Sequence, residues 1–327
     1  MSVLITGGAG YIGSHMAHHL IQAGENEKIT ILDNLSTGVE QNMPRGTNFV
    51  RGDIADQALV SKILETQKID SVIHFAGSVV VPESVEKPLD YYANNTAASR
   101  SLIEACIRHG VANFIFSSTA AVYGTPAVIP VAEDSVTAAE SPYGRSKLMT
   151  EWMLQDAAAA HGIKFGILRY FNVAGADPDG RTGQSTPRAT HLIKRACEAA
   201  TGKIPRLTIF GTDYDTPDGT GVRDFIHVSD LVDIHKCVLE RLRGDGSSLL
   251  INCGYGRGFS VRQVVAAVER VSGKSLAVEL APRRPGDLGI VVADTRKLAK
   301  LLNWNPRYDD LDKIVETALG WERRLGN

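Results

Sequence analysis

A phenol and an ammonium stand four residues apart in the stretch SPYGRSKLMTE, as Tyr143 and Lys147. In a helix that spacing puts both side chains on one face. A free phenol ionises near pH 10, so only about one in a thousand is a phenolate at pH 7. A neighbouring ammonium favours the phenolate. Lowered by about three units, the phenol becomes a base that takes the proton from an alcohol. Hydride loss from an alcohol carbon requires that removal. Thr119, ending the apolar stretch ANFIFSST, supplies a hydroxyl to hold the substrate oxygen. Tyr and Lys at this spacing also occur in many helices that do no chemistry, so the context has to decide.

The first context is the helix itself. Ser141 followed by Pro142 is a helix start, a capping oxygen before a proline at the first helical position. The alanine-rich run then extends to Gly162, a left-handed stop. Upstream, the short apolar runs SVLIT, KITILD, NFVRGD, DSVIHFAG, ANFIFSS and KFGILRYF alternate with segments of helical periodicity. One of these, residues 99–110, puts Leu102, Ile103, Cys106 and Ile107 on one face. Apolar strands between helices predict an α/β fold, a doubly wound parallel Rossmann-type sheet over residues 1–170. Such sheets present ligand-facing residues at the carboxyl ends of their strands, where Thr119 falls. After residue 170 the alternation breaks into shorter strands and polar loops. Residues 171–327 are expected to form a smaller α+β substrate domain, one strand of which can return to the first sheet.

A glycine loop lies between the first strand and the first helix, in VLITGGAGYIGSH. Gly8, Gly10 and Gly13 satisfy one dinucleotide spacing, and Gly7, Gly10 and Gly13 satisfy another. Both let the backbone turn tightly and approach a pyrophosphate seated on the positive end of the helix. Asp33 follows 20 residues after Gly13, at the end of the second strand, where an acid binds ribose hydroxyls. Residues 34–38, Asn-Leu-Ser-Thr-Gly, contain no arginine for a 2′-phosphate. The expected cofactor is therefore NAD rather than NADP.

The 327 residues carry 43% hydrophobic and 22% charged side chains and a net charge of −2. That balance gives no electrostatic reason to expect nucleic acid or an anionic membrane as partner. The N-terminus enters a strand directly, with no basic leader, and no apolar run is long enough for a membrane span. Cys106, Cys197, Cys237 and Cys253 are scattered and read as buried free thiols of a reducing compartment. His15 and His19 have metal-like spacing but no third ligand nearby, so no metal is expected. The expectation is a cytoplasmic protein.

TGGAGYIG, the strand-end SST and YGRSK together resemble the extended short-chain dehydrogenase/reductase superfamily. DNLS at 33–36, GDI at 52–54, HFAG at 74–77, KPLDYYANN at 87–95, LRYFNVAGA at 168–176, IFGTDYDTPDGTGVRDFIHVSDL at 209–231 and APRRPGDL at 281–288 extend the likeness over most of the chain. They resemble the UDP-glucose 4-epimerases within that superfamily. The resemblance implies that Tyr143 is the base, Lys147 its activator and Thr119 a partner hydroxyl. It implies that Gly7, Gly10, Tyr11, Ile12, Gly13, Asp33, Asn34 and Ser36 hold the pyrophosphate and ribose of NAD. Asp53 and Ile54 would border the adenine, Phe75, Ala76, Gly77 and Asn95 would line the cleft, and Phe171 would lie near the nicotinamide. Asn172, Leu192, Thr208, Phe210, Arg223, Arg284 and Asp287 would take the nucleotide sugar. Guanidinium forks suit a diphosphate better than point charges do.

The reaction so implied has no net oxidation. Carbon 4 of the sugar is oxidised by NAD, the keto sugar turns, and the hydride returns to its opposite face. This sequence departs from the best-known bacterial pattern at several points. Thr119 replaces a serine, Val79 a lysine near the cofactor phosphates, His191 an asparagine and Val291 a bulky tyrosine beside the hexose. A small residue at the last position accompanies acceptance of N-acetylated sugars in this family. Other UDP sugars, glucuronate or xylose, stay open as substrates. A nucleotide-sugar 4,6-dehydratase needs an Asp-Glu pair after the threonine, where this chain has Ala120-Ala121. A non-catalytic NAD sensor would not need Tyr143, Lys147 and Thr119 together. Family members commonly form homodimers through helices corresponding to about 84–109 and 143–161.

Overall fold

The computed structural model describes residues 1–24, 28–186, 189–244, 246–284 and 287–326. Two compact units emerge, and neither is a single stretch of chain. The first comprises Met1–Gly124, Val136–Tyr170 and Val232–Ile251, and the second Thr125–Ser135, Phe171–Leu231 and Asn252–Asn327.

The first unit is built on strands β1 (Ser2–Thr6), β2 (Lys28–Asp33), β3 (Asn48–Arg51), β4 (Ser71–His74), β5 (Asn113–Thr119) and β6 (Lys164–Tyr170). With β10 (Leu249–Cys253) they form a seven-stranded sheet of order β10-β6-β5-β4-β1-β2-β3. The pairs from β3 to β6 are all parallel. The doubly wound sheet expected from the alternating pattern is thus present. Every residue of β1 is buried, as apolar strands covered on both faces require. The strand order reverses between β1 and β4, and ligands of such sheets bind outside the carboxyl ends at that reversal.

Helices α1 (Tyr11–Gln22), α2 (Gln57–Thr66), α3 (Val81–Glu86), α4 (Pro88–Tyr91), α5 (Ala98–Arg108) and α6 (Pro142–His161) belong to this unit. On α5, Leu102, Ile103 and Cys106 are buried with Phe114, Phe116 and Leu154 in one apolar cluster. A π-helical turn, Tyr92–Ala97, sits between α4 and α5. Such turns widen a helix locally and are frequent at functional sites. α6 begins as its sequence dictates. The Ser141 side chain accepts from the Gly144 N–H at 3.1 Å, Pro142 opens the helix, and Gly162 ends it at φ +75°.

In the second unit, β7 (Asn172–Ala174) and β13 (Ile290–Val291) pair in parallel with β9 (Val222–His227), and β11 (Gly258–Ser260) pairs antiparallel. β8 (Leu207–Phe210) and β12 (Val278–Ala281) form a separate parallel pair. Helices α7 (Leu192–Ala200), α9 (Val261–Ser272) and α11 (Leu311–Arg324) close over a core that includes Ile193, Cys197, Leu207, Phe225, Val268 and Ile314. α8 (Val228–Arg243) carries the chain from this unit into the first, and α10 (Arg296–Leu302) lies near the C-terminus. No helix among the described residues is long and apolar enough to cross a membrane.

Candidate functional site

The glycine loop is shaped by close contacts. Gly7 adopts φ +69° and donates its N–H to the Leu32 carbonyl at 2.9 Å. A Cβ on Gly7 would lie 2.6 Å from the Ala76 nitrogen, and one on Gly13 only 2.2 Å from the Gly7 oxygen. Those two glycines are required by the protein's own packing. Gly10 is different, since an added Cβ would meet only the Gly7 oxygen, at 3.1 Å. The space its missing side chain leaves lies at the N-terminus of α1, where Gly10 provides no side-chain cap and the first turn has no acid. Uncapped N–H groups there suit an anion. Asp33 ends β2, nearly buried, with Oδ2 accepting from the Ala9 N–H at 3.0 Å and Oδ1 from Leu35 at 2.8 Å. It therefore ties the glycine loop to the strand end. Asn34 donates to Asp53 at 2.8 Å, and its own oxygen accepts from the Ser36 N–H at 2.9 Å. Ile54 is buried beside Asp53, and Phe75 follows β4 with its N–H on the Thr6 carbonyl. Loop, uncapped helix end and strand-end acid fit a dinucleotide.

The proposed acid–base residues meet in the same unit. Thr119, the last residue of β5, stands by Tyr143 in the first turn of α6, and its side chain acts to lower the phenol. The Thr119 oxygen also accepts from the Ala121 N–H at 3.2 Å, which fixes its orientation. Lys147 is 3% exposed, donates its Nζ to the Ser117 carbonyl at 3.0 Å and lies 5.0 Å above the Phe116 ring. The ring of Tyr91 meets that of Tyr143 edge-on, with centroids 6.5 Å apart. Asn95, on the π-turn, holds Ser78 by its N–H at 2.7 Å and by its carbonyl at 2.9 Å, and donates to Ser146 on α6 at 3.1 Å. The turn thereby links the residues after β4 to α6. Glycine at 77 permits the closeness, since a Cβ there would stand 3.0 Å from Asn95 Oδ1 and 3.5 Å from Lys147 Nζ.

Burial opposes the expected activation of the phenol. The sequence predicts a Tyr143 phenol lowered by its ammonium neighbour. In the structure burial raises it above its ordinary value, with the Thr119 side chain pulling the other way. Desolvation penalises the phenolate and outweighs that pull. The same burial lowers Lys147 to about 8. Below Lys147, His74 bonds the Thr6 hydroxyl at 2.7 Å and the Ser99 hydroxyl at 2.8 Å. Burial, with the Lys147 charge second, pushes that imidazole down to about 3, so it is neutral and adds no positive charge.

The nucleotide-sugar candidates fall in the second unit. Arg223 NH2 contacts Asp287 Oδ1 at 2.6 Å, and Arg284 NH2 contacts the other carboxylate oxygen at 3.3 Å. Arg284 also stacks over the Phe210 ring at 4.7 Å. Thr208 lies on β8 two residues before Phe210, and Val291 pairs with Arg223 in the β13–β9 register. The structure thus gathers Arg223, Arg284, Asp287 and Phe210. Phe171 is buried with its N–H on the Cys253 carbonyl, Asn172 opens β7, and Leu192 opens α7 just after His191, whose ring nitrogen lies 3.3 Å from Gln184. These stand on other elements of the unit. Val79, beyond Gly77, is half exposed.

Among the described residues no group of three or more His, Cys, Asp or Glu is arranged to hold a metal ion. The four cysteines are free thiols, Cys106, Cys197 and Cys253 buried and Cys237 half-buried, so the last is more open than expected. Sequence reasoning missed Tyr91, His74 and the buried pair Glu151–Arg169. For Glu151 a signal existed, since it continues the four-residue ladder from Tyr143 and Lys147.

Residues 3–254 match the family described as NAD dependent epimerase/dehydratase. A UDP-glucose 4-epimerase of Azospirillum brasilense is 58% identical over 323 residues, covering 99% of this chain and 92% of that protein. The crystal structure of UDP-glucose 4-epimerase from Brucella ovis in complex with NAD is 44% identical, with a TM-score of 0.94 and 98% of each chain covered. The UDP-Glc/GlcNAc 4-epimerase of Campylobacter jejuni is 47% identical, with a TM-score of 0.86 and 99% of each chain covered.

Proposed function

This chain belongs to the NAD dependent epimerase/dehydratase family, and we propose that it interconverts UDP-galactose and UDP-glucose by inverting carbon 4 of the sugar. The observation that carries the reading is the hydroxyl of Thr119 beside the phenol of Tyr143, with the buried ammonium of Lys147 one turn further along α6. The cofactor is NAD, and Gly7, Gly10, Tyr11, Ile12 and Gly13 would hold its pyrophosphate at the start of α1. Asp33, Asn34 and Ser36 would take the ribose, Asp53 and Ile54 the adenine, and Phe75, Ala76, Gly77, Asn95 and Phe171 the rest of the cleft. When bound, NAD would supply an acceptor and donor of hydride for carbon 4 and the positive charge of an oxidised nicotinamide.

Tyr143 takes the proton from the oxygen on carbon 4 and gives it back after the sugar has turned. Lys147 and the nicotinamide charge must together overcome the burial that raises Tyr143. Thr119 holds the same substrate oxygen beside the phenol. Arg223 and Arg284 grip the diphosphate, with Asp287, Phe210, Thr208, Asn172 and Leu192 around the nucleotide, so that only the hexose moves. The 4,6-dehydratase alternative lacks its acid–base pair, because Ala120 and Ala121 follow Thr119.

A wider substrate range has its own support. Val291 is a small residue beside Arg223 in the sheet register, and a 47% identical relative is a UDP-Glc/GlcNAc 4-epimerase. We therefore include N-acetylated UDP-hexosamines as substrates. We further propose a homodimer in the cytoplasm. Val85 and Leu89 of the α3–α4 segment and Trp152 of α6 are exposed at 65%, 77% and 54%. Light scattering on the eluting protein would give twice the chain mass for a dimer.

The reaction is tested by incubating the purified protein with UDP-galactose, first without added NAD, and assaying UDP-glucose. Conversion that collapses by about 10³-fold or more in Tyr143→Phe, with NAD still bound, supports it. Absence of conversion of UDP-galactose, with NAD supplied, would refute it.

A further inference from the structure

Glu151 follows Lys147 by four residues and is fully buried on α6. It is paired with Arg169 of β6, itself only 3% exposed, through a two-pronged contact of 3.0 Å from Nε and 2.6 Å from NH2. The Ser118 hydroxyl donates to the same carboxylate. The Arg169 guanidinium carbon lies over the ring of Tyr123, 4.8 Å from its centre, and Tyr123 is buried. Ser118 immediately precedes Thr119, and Tyr123 ends the short turn that follows it. The chain on both sides of Thr119 is therefore anchored to one buried, charge-neutral pair. One member of that pair shares a helix face with Tyr143 and Lys147.

We propose that Ser118, Glu151 and Arg169 are positioning residues that hold the Thr119 hydroxyl against the Tyr143 phenol. The proposal rests on the reading that Thr119 and Tyr143 carry the reaction. A contact between two elements is kept only if their register is fixed, and the Glu151 carboxylate joins α6 to β5 and β6 at once. The pair's neutrality also matters. Arg169 pairs with Glu151, so the guanidinium charge offsets the carboxylate's field towards the phenol. A misplacement of about 1 Å between reacting groups costs on the order of a hundredfold in rate, and loss of one anchor should cost less than that.

Ser118→Ala removes one anchor while leaving the Glu151–Arg169 pair. Leu154→Val, a buried change on the same helix away from the reacting groups, serves as a stability control. In Ser118→Ala, kcat for UDP-galactose should fall about tenfold with KM within about twofold, and Ser118→Thr should recover most of the loss. Leu154→Val should lower the melting temperature yet leave kcat within about twofold. A second readout needs no substrate. The 13Cζ resonance of Tyr143, assigned by its loss in Tyr143→Phe, should move in Ser118→Ala and stay in Leu154→Val. An unchanged resonance and an unchanged kcat in Ser118→Ala would overturn the proposal. Wild-type protein that leaves UDP sugars unaltered would instead count against the reaction, with the resonance still deciding the positioning role.

Discussion

Thr119 and Tyr143 come from different elements, the end of β5 and the first turn of α6, and the Thr119 side chain lowers the phenol against the burial that raises it. Removing that hydroxyl should raise the phenol further, so that less of it is phenolate, and leave the substrate oxygen without a second partner. Thr119→Ala is expected to lower kcat by about a hundredfold, while Thr119→Ser, which keeps the hydroxyl, stays within about threefold. Steady-state rates on UDP-galactose check this, and equal losses in both variants would remove the hydroxyl from the account.

Gly10 and Gly13 should fail in different ways. A Cβ at Gly13 would stand 2.2 Å from the Gly7 oxygen, so Gly13→Ala is expected to destabilise the unit itself. A Cβ at Gly10 meets only one atom, at 3.1 Å, and enters the space at the uncapped end of α1. Gly10→Ala should fold and melt near the wild-type temperature, yet lose bound NAD. Melting curves with the 260 nm absorbance of released cofactor separate the two effects. Full retention of NAD by Gly10→Ala would place the pyrophosphate elsewhere.

Arg223 and Arg284 both contact Asp287, and Arg284 lies over Phe210. Lysine keeps the charge but loses the planar fork and the stacking. If these two arginines hold the diphosphate as proposed, Arg223→Lys and Arg284→Lys should each raise KM for the UDP sugar about tenfold, with kcat within about threefold, because such a grip would be the same in ground and transition states. A fall in kcat at constant KM would instead assign these arginines to the chemical step.

His74 should make the fold acid-sensitive. Its imidazole is held down to about 3 from an ordinary 6.5, chiefly by burial and then by the Lys147 charge. Between those values the unfolded chain binds a proton that the folded one refuses, so stability rises with pH. The contribution is complete above about pH 6.5 and is lost as the pH falls towards 3, amounting to about 2 kcal/mol by pH 5. His74→Gln should be less stable at pH 8 but lose less between pH 7 and 5. Urea midpoints at the three pH values test it, and parallel declines would show that His74 does not govern the acid limb.

The sequence already carried the sheet, because strands such as SVLIT are buried on both faces and show it as unbroken apolar runs. It carried α6 as well, since Ser141, Pro142 and Gly162 are local signals for its two ends. What it could not carry were features that depend on distant partners. Nothing local to Glu151 announces Arg169, 18 residues away, or Ser118, 33 residues away. The direction of the Tyr143 shift was also out of reach, because spacing reveals the nearby ammonium but not the depth of burial that outweighs it. The π-turn bearing Asn95 has no distinct periodicity over its six residues, and only the bonds to Ser78 and Ser146 reveal what it joins.

The central claim is that carbon 4 loses and regains its own hydrogen as hydride, with Tyr143 handling only the hydroxyl proton. UDP-galactose deuterated at carbon 4 should give UDP-glucose that keeps the deuterium at carbon 4. Unlabelled substrate turned over in heavy water should gain none there. Exchange of that hydrogen with solvent during turnover would contradict the account, because the hydrogen would then have left as a proton.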